Sequence, residues 1–161
     1  MGTLTVEWTD AAALAAAGRS MAGIDFLRAI RDGRLPAPPL ARVLGFNLVE
    51  VEPGHAVFEI TPGEQHYNPI GVVHGGVAMT LLDSAMGCCI HTRMPLGSAY
   101  TTLEAKTNLV RAITDKTGRL RAIGTVVHVG TRVATAEGRV EDAAGKLYAH
   151  ATSTCLVLNG N

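Results

Sequence analysis

The sequence predicts an α+β domain: an antiparallel sheet of five or six strands that curls around one long, apolar helix. Three observations carry this. From His74 to His91 the only acidic or basic residue besides the terminal histidines is Asp83, and Val77, Ala78, Leu81, Leu82, Ala85, Met86, Cys89 and Ile90 recur at helical spacing. Segments of strand length stand on both sides of that run. The breaks between the later segments are short and polar or glycine-bearing, as antiparallel connections tend to be. A helix that is apolar nearly all round is a buried one, and a sheet that covers it buries one face of each.

Taken in order, Met1 to Gly33 is rich in alanine and prone to helix, and Ile24 to Arg31 has amphipathic spacing. The prolines Pro36, Pro38 and Pro39 end that pattern. Val49 and Val51 alternate with Glu50 and Glu52, Pro53-Gly54 supplies a turn, and Ala56, Phe58 and Ile60 alternate beyond it, which predicts a β-hairpin. The long helix is expected over His74 to Arg93. Strands are expected over Ala99 to Ile113, Arg119 to Val129, Arg132 to Glu141 and Leu147 to Leu158, in meander order across Asp115-Lys116-Thr117-Gly118, Gly130-Thr131 and Asp142 to Gly145. Residues 1–39 thus read as an N-terminal helical extension and 40–161 as the main domain.

Composition narrows the function classes. With 161 residues, 47% of them apolar, the chain can build one full core but not two ordinary domains. Fourteen basic and fourteen acidic residues cancel, so no global field draws it to nucleic acid or to an anionic membrane. The three cysteines, Cys88, Cys89 and Cys155, form no C-x-x-C pair and read as core residues of a reducing compartment. The sequence has no basic stretch ahead of an apolar core and no apolar run of spanning length, so a cytoplasmic protein without a membrane segment is expected. The six histidines show no metal-ligand spacing, and the G-x-S-x-G of serine hydrolases is missing, so neither a metal site nor a serine nucleophile is expected.

The chemistry concentrates in Asn68-Pro69-Ile70-Gly71-Val72-Val73-His74-Gly75-Gly76 and in Asp83. A lone carboxylate in a buried helix carries a large desolvation cost, and such acids cluster at functional sites. Asp83 has no cation four residues away, since Met79 and Gly87 occupy those places. Two glycines at a helix start leave its first N–H groups accessible, where the helix dipole favours negative charge. The residue before Pro69 is held extended, which restricts how Asn68 is presented. His74 either braces the turn or transfers protons.

On these residues the chain resembles the hotdog-fold thioesterases of the phenylacetate-degradation (PaaI-like) type. The family's Asn-(x5)-His-Gly-Gly-(x6)-Asp pattern stands here as Asn68, His74, Gly75, Gly76 and Asp83, and the likeness runs from about Leu40 to Leu158. The resemblance implies an acyl-CoA thioesterase with no cofactor. The Gly75 backbone N–H and Asn68 would polarise the thioester carbonyl as an oxyanion hole. Asp83 would act either as general base toward water or as nucleophile. It further implies a water-holding hydroxyl on the strand after the helix, Thr102 with Thr101 one register step away. Substrate contacts would come from Gly76, from Arg111, and from the turn Gly130, Arg132, Val133 and Ala134. Where other hotdog thioesterases place a hydroxyl one turn after the acid, this chain has Gly87.

One number requires a partner. Asp83 lies nine residues beyond His74, roughly 13 Å along a helix, so one chain cannot bring its own Asp83 to its own Gly75. A symmetric dimer with helices side by side would do so. A homodimer, or a tetramer of such dimers, is therefore expected, with the small-residue stripe Gly76, Thr80, Asp83 and Gly87 leaving room for substrate.

Overall fold

The computed structural model describes residues 1–158. Its elements run α1 (Ala11–Arg19), α2 (Gly23–Arg31), α3 (Pro39–Leu44), β1 (Phe46–Glu52), β2 (His55–Ile60), α4 (Gly75–His91), β3 (Ala99–Leu109), β4 (Leu120–Val129), β5 (Val133–Asp142) and β6 (Leu147–Leu158). All pairings are antiparallel in one six-stranded sheet, of order β1-β2-β4-β5-β6-β3. The sheet wraps α4, whose Ala78, Leu81, Leu82, Ala85, Met86, Cys89 and Ile90 are all buried.

A pair of glycines brings the helix this close. Gly124 on β4 and Gly138 on β5 are direct cross-strand partners. A methyl on Gly124 would collide with the backbone of Ala85 and Met86, whereas one on Gly138 would press only on the side chains of Leu82 and Met86. Gly124→Ala is therefore expected to destabilise the fold by about 3 kcal/mol, at the upper end of overpacking costs, and Gly138→Ala by less because Met86 is flexible. Urea unfolding of the two variants checks this; equal midpoints would remove the backbone contact as the cause.

Three expectations need correction. The segment Asp115–Gly118 is not a hairpin turn within a meander. β4, β5 and β6 fill the sheet's middle as consecutive hairpins, and β3 pairs with β6 at the far edge, so the chain must cross the end of the sheet to start β4. Ile113 anchors that crossing in the core and accepts a hydrogen bond from the Val73 N–H at 2.9 Å. In β1 the alternation is broken by a bulge between Leu48 and Glu50, so Leu48 and Val51 both face the core and Val49 is only half-buried. Finally, the proline cluster does not only end a helix: Pro39 begins α3, at the first-turn position where its missing N–H costs nothing.

The N-terminal helices are docked rather than loosely appended. The Gly23 N–H donates to the Met94 carbonyl at 3.0 Å, and Gly23 lies against the His91 backbone so closely that no side chain fits. Phe26 sets its edge on the His91 ring at 5.9 Å, and Leu27 and Ala29 are buried. Residues 159–161, the end of the expected main domain, lie outside the described residues. No helix among the described residues is long and apolar enough to cross a membrane.

Candidate active site

The loop before α4 is built by its own side chains. Asn68 opens a tight turn in which the Gly71 N–H donates to the Asn68 carbonyl at 3.2 Å, with Pro69 at the second place and Gly71 at a φ of 83°. The Asn68 Oδ1 accepts from the Ile70 and Val72 N–H groups at 3.1 and 3.3 Å. With the oxygen committed inward, the Nδ2 donors are the end of this amide left for a ligand. His74 is the N-cap of α4: its Nδ1 accepts from the Gly76 N–H at 2.9 Å, so the histidine braces the turn and occupies the Gly76 donor. The Gly75 N–H, by contrast, has no acceptor among the described residues and stands at the positive end of a 17-residue helix.

Gly75 also lets the end of β3 approach closely, and a larger residue there would have to displace the Leu109 side chain. A methyl there would come within 2.5 Å of the Leu109 Cδ1 at the end of β3. Asn68, His74, Gly75, Leu109 and Arg111 line one cleft of about 250 Å³. Arg111 is held there by donating to the Leu147 carbonyl at 2.8 Å, with its guanidinium 6.0 Å above the Tyr148 ring.

Asp83 stands elsewhere. It is not buried, as its apolar helix suggested, but exposed in the single chain, because none of the described residues covers the α4 face that carries Met79 and Asp83. Thr102 Oγ1 donates to its Oδ1 at 2.9 Å. Thr101 is exposed and, by strand alternation, points to the other face of β3, so Thr102 is the hydroxyl beside the acid. The stripe of small residues is also less open than expected. The Tyr100 phenol lies directly over Gly87, so the place one turn after Asp83 is filled from β3 rather than left empty. The cysteines nearby are poor nucleophiles: burial pushes the Cys88 thiol up to about 12 and raises Cys89 and Cys155 as well.

The structure thus sorts the expected residues into two groups. Asn68, His74, Gly75, Gly76 and Arg111 gather at the N-terminal end of α4. Asp83 and Thr102 lie about 12 Å further along the helix, eight residues past Gly75. The turn of Gly130, Arg132 and Val133 belongs to this second end, since Ala134 pairs with Cys155 and Cys155 with Thr102. The Gly130 N–H donates to the Val133 carbonyl at 2.8 Å, and Arg132 and Val133 are exposed. Ala134 is fully buried, so it offers a ligand no surface in the single chain.

This fold has counterparts among known proteins. The sequence profile described as the thioesterase superfamily matches residues 70–149, which span the helix start, Asp83 and Thr102. A solved structure of the phenylacetic acid degradation protein PaaI from Thermus thermophilus is 29% identical. It superposes with a TM-score of 0.66 over 73% of this chain and 97% of that one. The chain belongs to the thioesterase superfamily. It is a hotdog-fold, PaaI-like thioester hydrolase. The 1,4-dihydroxy-2-naphthoyl-CoA hydrolase of Listeria monocytogenes is 25% identical to this thioesterase over 118 residues, 73% of this chain and 94% of that protein. Acyl-coenzyme A thioesterase 13 of Homo sapiens is 39% identical over 59 residues, 36% of this chain and 42% of that one.

Two residues beside the candidate site were not singled out from sequence. Tyr100 sits two residues before Thr102 and therefore on the same strand face; that alternation was the available signal. Leu109 against Gly75 had none, since the contact depends on β3 returning along α4 to the helix start.

Proposed function

We propose that this thioesterase cleaves aryl- or medium-chain acyl-CoA to a carboxylic acid and free coenzyme A, at sites that two chains build jointly. The Gly75 N–H and the Asn68 amide of one chain hold the thioester carbonyl as it becomes an oxyanion. Asp83 of the partner chain, oriented by Thr102, either deprotonates a water that attacks the carbonyl and expels the coenzyme A thiolate, or attacks directly, expelling the thiolate and leaving an anhydride that water then hydrolyses. Arg111 and the turn of Gly130, Arg132 and Val133 meet the coenzyme A phosphates.

The observation that carries this reading is the separation itself: a cleft with an unused N–H donor but no acid, and an exposed acid about 12 Å away. The outer edge of β3 supports the joining of the halves. Among the described residues it is an unpaired, eleven-residue strand edge with Leu103 and Leu109 exposed, the kind of edge that pairs with another chain. Antiparallel pairing of two β3 edges about a two-fold axis near Ala105 sets the Thr102 end of one strand opposite the Leu109 end of the other. Asp83 then faces the partner's Gly75. A coenzyme A binding module without hydrolysis would have no use for the Thr102–Asp83 pair.

The test of function is thiol release from a panel of aryl and aliphatic acyl-CoAs. Turnover of at least one of them is expected, and none across the panel would refute the reading. Within it, Thr102→Ala should lower kcat by roughly tenfold to a hundredfold by freeing the Asp83 carboxylate, while Thr102→Ser, which keeps the donor, should retain most of it. Equal loss in both variants would mean that packing, not the hydroxyl, matters at this position.

A further inference from the structure

A second cavity, of about 280 Å³, lies under the N-terminal helices. Leu27 and Ile30 of α2, Phe46 and Leu48 of β1, and Phe58 of β2 form its apolar walls, Arg31 and Asn47 are the polar residues on its border, and Cys88 of α4 lies on the helix side. Phe46 and Phe58 meet edge to face at 5.6 Å, which fixes the floor. A cavity of about 150 Å³ lined by Leu, Ile and Phe is enough to hold benzene, so this one has room for an apolar group roughly twice that bulk.

Its position relative to the acid is what gives it a role. Cys88 follows Asp83 by five residues, about 7.5 Å along the axis, and the half-buried Ser84 lies between them around the helix surface. The cavity therefore begins about one and a half turns from the Asp83 carboxylate, on the side of α4 that faces α2 and β1. An acyl group whose carbonyl lies beside Asp83 has its tail within reach of this space. The wall made by α2 is fixed rather than a lid, since Gly23, Phe26 and Leu27 dock it on the end of α4. It also comes from outside the part of the chain that matches the thioesterase superfamily, which starts at residue 70.

We infer that this cavity receives the apolar tail of the acyl group, and that α2 sets the acyl selectivity of the enzyme. The inference rests on the acyl-CoA reading above. The tail it fits is of medium bulk, about eight carbons or a phenyl ring on a short linker, by comparison with the benzene cavity.

The test uses non-hydrolysable thioethers, S-octyl-CoA and S-ethyl-CoA, titrated calorimetrically into the full chain, so that no turnover is needed. At roughly fourfold per methylene, burial of only two of the six extra methylenes already makes S-octyl-CoA more than about tenfold tighter than S-ethyl-CoA, and burial of all six about 10³-fold or more. Ile30 is half-buried at the cavity wall. Ile30→Trp fills the space and should collapse that affinity ratio at least tenfold, with the milder Ile30→Phe giving a smaller drop if the tryptophan impairs folding. A ratio near one in the wild type, or an unchanged ratio in a variant with native circular dichroism, overturns the inference while leaving the thioesterase intact. Failure of both thioethers to bind, with no thiol released from any acyl-CoA, overturns the underlying reading and the inference with it.

Discussion

Asp83→Asn should keep the fold and lower kcat by about 10² or more, the scale of a lost acid–base group or nucleophile. The fold is expected to survive because Asp83 is exposed, makes no ion pair among the described residues, and has Thr102 as its hydrogen-bond partner. An asparagine oxygen can still accept that bond. The substitution therefore removes the charge and the basicity while leaving the contact, which makes the kinetic loss attributable to chemistry. Thiol release at saturating acyl-CoA, with circular dichroism as the folding control, measures it. Wild-type turnover in the folded variant would take Asp83 out of the reaction.

The second large effect is at the other end of the helix. Asn68→Ala is expected to cost roughly 10 to 10³ in kcat, the range for one oxyanion donor. Because Asn68 also shapes its turn through Oδ1, Asn68→Asp is the sharper variant: it keeps the acceptor for the Ile70 and Val72 N–H groups but loses the amide donor. Both should be slow. Full activity in Asn68→Asp would show that the side chain only builds the loop. Gly75→Pro should be slower still, since it removes the N–H that has no acceptor among the described residues, and its ring must also displace Leu109. A folded Gly75→Pro enzyme with normal kcat would rule out Gly75 as an oxyanion donor.

Much of this was legible in the sequence because the signals were local. Helical spacing over one run whose sole acid is Asp83 marks α4 to within two residues of its ends, and the prolines, glycines and alternations mark the strands. Asn68, His74, Gly75 and Asp83 stand out because each residue type is costly or conspicuous where it occurs. What the sequence hid depends on long-range register. The crossing from β3 to β4 follows from β6 pairing with β3, which no local turn signal records. Asp83 looked buried because the helix around it is apolar. Its exposure reflects which faces the sheet and α2 leave uncovered, not the composition of the run. The two readings of Asn68, turn former and amide donor, looked like rivals in sequence. In the structure opposite ends of one amide are free to serve both. α3 escaped notice because six residues opened by proline carry almost no periodicity.

The shared site is tested most directly by mixing two impaired variants. In a mixed dimer of Asp83→Asn with Asn68→Ala, one site collects both lesions, while the other takes an intact Asp83 from one chain and an intact Asn68 from its partner. With free exchange at equal amounts, half of the dimers are mixed and each has one whole site of two. Co-refolding should then restore about a quarter of wild-type thiol release under two-fold symmetry. Activity no higher than that of either variant alone, with the mixed dimers confirmed by mass, would contradict a site shared between chains.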